Sequence, residues 1–94
     1  MQLFQKLKTL VFEDRYVIGQ HASERLEERG IMEWQAVVGL ANGVLLKERL
    51  DAQPNPIIEV SQILEDGTRV KTVWSYLRDS GFAKLVTVHY FDEE

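Results

Sequence analysis

The stretch His21-Ala22-Ser23-Glu24-Arg25-Leu26-Glu27-Glu28-Arg29-Gly30 sets His21, Arg25 and Arg29 four residues apart. At about 100° per residue, that spacing stacks the three side chains into one ridge of a helix. An imidazole that can exchange a proton near neutrality, followed by two guanidinium forks suited to bidentate contact, forms a ridge able to hold an anion. Such a ridge also begins at a helix amino terminus, where the backbone dipole attracts phosphate. A second polar set lies late in the chain. Thr87 and His89 are two apart in an alternating run, so they share one face of a strand. They would bring a hydrogen-bond donor and an acid to the ridge if that strand lies beneath it. Lys71 and Ser75 in the preceding run are further candidates.

The elements that must position these residues are readable from periodicity. Leu3, Phe4, Leu7, Leu10 and Val11 recur at three- and four-residue steps and predict an amphipathic first helix. Tyr16-Val17-Ile18 suits a short extended segment before Gly19. The ridge helix follows, with Ala22 and Leu26 as its apolar strip and Gly30 as a left-handed stop. Trp34, Val37, Val38 and Ala41 predict a third helix, ending at Asn42-Gly43, with Ile31 as a buried hinge. From Val44 the period becomes two. Val44, Leu46 and Leu50 alternate with Lys47 and Arg49, as in a half-buried strand. Pro54 and Pro56 then impose a loop.

Residues 57–64 and 68–77 flank Glu65-Asp66-Gly67, whose Asp-Gly pair provides the positive backbone angles of a hairpin. Arg78-Asp79-Ser80-Gly81 supplies a second turn. In the run that follows it, Val86, Val88 and Tyr90 alternate with Leu85, Thr87, His89 and Phe91. The expected class is α+β, with three N-terminal helices packed on one face of a four-stranded antiparallel meander. Trp34 and Trp74 read as core anchors.

The chain has 94 residues, which suits one domain over 1–94, with 1–13 as an added N-terminal helix. At 45% hydrophobic and 28% charged residues it is too apolar to be disordered. It contains no cysteine, which removes disulfides and thiolate metal sites and is compatible with a cytoplasmic address. Only His21 and His89 are histidines, and neither belongs to a spaced ligand set, so no metal and no cofactor is expected. No run of about 20 apolar residues predicts a membrane span, and no signal peptide is expected. The net charge of −4 argues against a general nucleic-acid coat but leaves room for a local basic site. Asp92, Glu93 and Glu94 read as a solvated acidic cluster.

The combination of His21-Ala22, Arg25, Arg29-Gly30-Ile31, Asn42-Gly43, the proline loop, Asp66-Gly67 and Val86-Thr87-Val88 resembles the domain-of-unknown-function family numbered 4258. The resemblance covers residues 16–91. The family is similar in layout to small bacterial toxin nucleases. The resemblance therefore implies a metal-independent RNA endonuclease, or a relative that has lost activity, with a cognate antitoxin as partner. The shared polar positions match His21, Arg25, Arg29 and Thr87. Two departures stand out: the last strand reads Thr87-Val88-His89-Tyr90 where Thr-Val-Tyr is expected, and Lys71 replaces a histidine.

For RNA cleavage, attack of a ribose 2′-hydroxyl on the neighbouring phosphate needs a base, an acid and cations for the charged phosphorane. His21, His89, Arg25, Arg29 and Thr87 form the minimum set. The alternative is a noncatalytic protein-interaction or anion-binding module. Arg25 and Arg29 stand among Glu24, Glu27 and Glu28, and ordinary surface ion pairs would also account for them. Under this alternative the first helix serves as a surface for another protein or for a homodimer.

Overall fold

The computed structural model describes residues 3–91, so the 92–94 acidic cluster lies outside the described residues. The chain runs α1 (Leu3–Phe12), β1 (Tyr16–Ile18), α2 (Gln20–Arg29), α3 (Glu33–Gly39), a 3-10 turn (Leu40–Asn42), β2 (Val44–Arg49), β3 (Ile57–Ile63), β4 (Arg69–Leu77) and β5 (Phe82–Tyr90).

Two helices end in the same way. Asp14 takes a left-handed φ of 62°, and Arg15 N–H returns to the Leu10 carbonyl at 2.8 Å. At the end of α2, Gly30 has φ 67° and Ile31 N–H bonds the Leu26 carbonyl at 2.9 Å. Both are six-to-one closures that satisfy free helix carbonyls and turn the chain sharply. The Asp-Gly hairpin forms where expected, with Gly67 at φ 88° and Thr68 N–H donating to Asp66 Oδ1 at 2.9 Å.

The sheet departs from a four-stranded meander. Its order is β1-β5-β4-β3-β2, five strands with one parallel pair, β1 beside β5. The helices are therefore not one uninterrupted N-terminal block, because β1 intervenes between α1 and α2. Three extended residues hold too little pattern to announce a partner, and this one is distant in sequence: Tyr16 pairs with Ala83 and Ile18 with Leu85. The helices still bury their apolar stripes on one face, against Ile58, Val60, Val70, Trp74, Ala83, Leu85 and Val88.

Three further expectations need correction. A register shift leaves Val86 as the extra residue on β5, so Leu85 joins Val88 and Tyr90 on the core side rather than sharing the face of Thr87 and His89. The inward residues here are Ala36 of α3, with Val37 partly buried beside it, and Leu40 of the 3-10 turn, while Trp34 stays 50% exposed and only Trp74 of the two tryptophans anchors the core. Gly39 explains that choice, because its bare backbone admits the Gln62 side chain against the helix. Finally, β2 is an edge strand with a bulge at Leu46, and Val44, Leu46 and Leu50 remain exposed.

A buried polar chain ties α3 to the sheet. Trp74 Nε1–H donates to Thr72 Oγ1 at 3.1 Å, and Thr72 donates to Gln62 Oε1 at 2.6 Å. Gln62 Nε2 in turn donates to the Ala36 carbonyl at 2.9 Å. The α3 stripe meets the sheet through this chain. On α1, Leu7, Leu10 and Val11, the stripe considered above for a dimer surface, are buried in the protein's own core, and Phe12 is left 89% exposed.

Candidate functional site

The ridge forms as the spacing requires. His21 lies in the first turn of α2, exposed, and accepts a long hydrogen bond from Arg25 Nε at 3.5 Å. Glu28 lies between the two arginines, 3.6 Å from Arg25 Nη1 and 3.6 Å from Arg29 Nη1. Arg29 is the best sheltered of the three: its guanidinium lies 5.2 Å from the Tyr90 ring centre, and Tyr90 Oη–H donates to the Arg29 carbonyl at 3.3 Å. Ala22 and Leu26 seat the helix on the core side of β5.

Thr87 and His89 occupy the other side. Partners across a sheet share a face, so the pairings define rows on the surface away from the helices. One row reads Val44, Ser61, Lys71, His89. The next reads Lys47, Glu59, Val73, Thr87. A third crosses all five strands as Arg49, Ile57, Ser75, Lys84 and Val17. Lys71 and His89 are thus directly opposed, as are Val73 and Thr87. Thr87 Oγ1 is shielded from solvent without a hydrogen-bond partner among the described residues.

These rows collect Lys47, Arg49, Lys71 and Lys84, with Arg69 on the same side of β4, against the single carboxylate of Glu59. Glu59 is shared, 3.5 Å from Lys71 Nζ and 3.8 Å from Arg49 Nε. The residues missed from sequence are Lys47, Arg49, Lys84 and Arg69. β2, β4 and β5 contribute only one or two each: alternation ties Arg69 to Lys71 and Lys47 to Arg49, but Lys84 stands three residues from Thr87 and shares its side only through the extra residue at Val86.

The ridge helix and the basic rows lie on opposite faces of β5. Pairing with β1 ends at Leu85. There a Cβ on Gly19 would lie 2.8 Å from Lys84 Cε, so Lys84 runs against the residue that caps α2. Thr87 and His89 therefore face away from the side on which His21, Arg25 and Arg29 stand, so the last strand does not bring them beneath the ridge as the alternation alone would allow; Lys71 and Lys84 share their open side.

Among the described residues, no group of three or more His, Cys, Asp or Glu is placed to hold a metal ion, and no helix is long and apolar enough to cross a membrane. No curated protein and no solved structure matches the chain. A family model does, over residues 18–90, from the end of β1 through β5 and without α1. The chain belongs to the family described as domain of unknown function DUF4258.

Proposed function

We propose that this domain binds RNA and cleaves it without a metal ion, at the outer edge of β5. The observation that carries this reading is the charge segregation: in a protein of net charge −4, the described residues gather five strand cations and one carboxylate on the open sheet face. Such a local excess attracts a polyanion whatever the total charge. For His21 and His89 to serve one phosphate from the two sides of the sheet, the RNA must straddle the outer edge of β5; there His21 takes the proton of a ribose 2′-hydroxyl, and the freed oxygen attacks the adjacent phosphorus. The bond to the 5′-oxygen breaks, and His89 protonates that leaving group. Arg25, with Arg29 beside it, stabilises the charge on the phosphorane. The products are a 2′,3′-cyclic phosphate and a 5′-hydroxyl.

The test is cleavage of a broad RNA panel by the purified chain in excess chelator. His89→Ala and His21→Ala should each slow turnover by about 10²-fold or more. Absence of cleavage by the wild type, or unchanged turnover in both variants, overturns the reading.

A second reading is a noncatalytic protein-binding module, with the cognate antitoxin or another protein as partner. It is favoured by a groove of about 410 Å³ between α3 and the β2–β3 end, lined by Trp34, Val38, Val44 and Ile63, all four of them exposed. Exposed apolar clusters of this kind mark interaction surfaces. Failure of every RNA assay, with hydrogen-exchange protection of residues 34–44 and 61–69 by a polypeptide partner, would select it.

A further inference from the structure

Two phenylalanines bracket the open face of β5. Phe82 precedes Lys84 on the same parity, opposite Leu77, and Phe91 continues the parity of Thr87 and His89 just beyond the strand. Each is half-buried and carries an arginine: Arg15 lies 5.8 Å from the Phe82 ring centre and Arg69 lies 5.4 Å from that of Phe91. An arginine laid on an aromatic ring makes a flat, cationic platform. At the usual strand rise the two platforms stand on the order of 25–30 Å apart. Between them lie Lys84, Thr87 and His89, with Lys71 opposite His89 on β4.

The geometry points to an extended single strand of RNA as the ligand, laid along β5 with one unpaired base stacked at Phe82 and Arg15 and another at Phe91 and Arg69. This inference rests on the RNA reading above and adds the strandedness and the track. Platforms at both ends need bases whose faces are free, and in a duplex those faces are already stacked inside. Lys84 and Lys71 sit where the backbone between the two bases must pass. The length of the track matches the short end of the roughly 4–16 nucleotides that single-strand-binding folds occupy.

Fluorescence anisotropy with labelled 2′-O-methyl RNA tests this, because the ligand lacks the attacking hydroxyl and binding is read apart from cleavage. Single strands of about three, six and nine nucleotides are compared with a duplex of the longest. Affinity should rise with length to a plateau, and the duplex should bind about tenfold more weakly. Phe82→Leu and Phe91→Leu keep apolar volume while removing the π-face, and each should weaken the six-nucleotide strand by about fivefold with an unchanged circular dichroism spectrum. Equal or tighter duplex binding, no dependence on length, or unchanged affinity in both variants overturns the inference. Tight single-strand binding without cleavage of ordinary RNA overturns only the nuclease reading. Cleavage with a duplex preference overturns only the single-strand track.

Discussion

Lys71 of β4 stands directly opposite His89 of β5 and reaches Glu59 of β3 at 3.5 Å. Among the described residues Glu59 is the one negative charge within the basic rows, restraining Lys71 and Arg49 together. Replacing it by an isosteric neutral group should remove that carboxylate's competition with a polyanion for both cations. In Glu59→Gln, RNA affinity should rise several-fold, and the dependence of log K on log salt should steepen by about one phosphate contact. Stability should fall by about 1 kcal/mol, measured by thermal melting. An unchanged salt slope would place the RNA elsewhere.

The chain from Trp74 through Thr72 and Gln62 to the Ala36 carbonyl has no redundant member. Gln62→Ala strips the Thr72 hydroxyl of its acceptor and the Ala36 carbonyl of its donor, and opens a cavity. It should cost about 2–4 kcal/mol by denaturant unfolding. A loss under 1 kcal/mol would show that the chain is dispensable.

The close approach at Gly19 makes a different demand. A Cβ there meets Lys84 Cε at 2.8 Å and the Leu85 carbonyl at 2.9 Å. The lysine can move, but the carbonyl is locked by its 2.9 Å hydrogen bond from Gly19 N–H. Gly19→Ala should destabilise the protein by about 1–3 kcal/mol, with β1 losing amide-exchange protection before β3 and β4 do. Uniform loss of protection would count against this localisation.

Much of the architecture was legible because its signals are local. Helix stripes, the Asp66-Gly67 hairpin and the ridge of His21, Arg25 and Arg29 each occupy a dozen residues or fewer. What was not legible depends on distant partners. Nothing in Tyr16-Val17-Ile18 points to Ala83, and the extra residue at Val86 is hidden in a run of β-branched types that fit either face. Trp34 misleads for the opposite reason: small residues, Ala36 and Gly39, make the α3 contact, while its largest apolar side chain faces outward. The basic rows were invisible as a set because their cations come from three separate strands.

The two tryptophans offer a direct check. Trp34→Ala should change stability by about 0.5 kcal/mol or less, whereas Trp74→Ala should cost about 3–5 kcal/mol. Wild-type emission should combine an exposed and a buried component, with the red-shifted part absent from the Trp34 variant. Comparable destabilisation by both substitutions would return Trp34 to the core.

At the hairpin, the Thr68 N–H holds the Asp66 carboxyl below the usual carboxylate range, aided by the Thr68 hydroxyl. A carboxyl whose pKa is lower folded than unfolded contributes its full stability above the unfolded value, about 3.9, and loses it as pH falls through the folded one. The melting temperature should drop on acidification below about pH 4, and Asp66→Asn should flatten part of that drop. Identical acid profiles would exclude this contribution.

The seam between β1 and β5 bears on how the protein is made. Tyr90 reaches back 61 residues to the Arg29 carbonyl, and β1 has β5 as its sheet neighbour. A growing polypeptide must therefore expose α2 and β1 unseated until residues 82–90 leave the ribosome, deferring the reward for loop closure until β5 is made. Translation halted before β5 would release a chain whose opening segments have nowhere to dock. Proteases would meet it as unfolded, so β5 works as the latch that seats the opening segments.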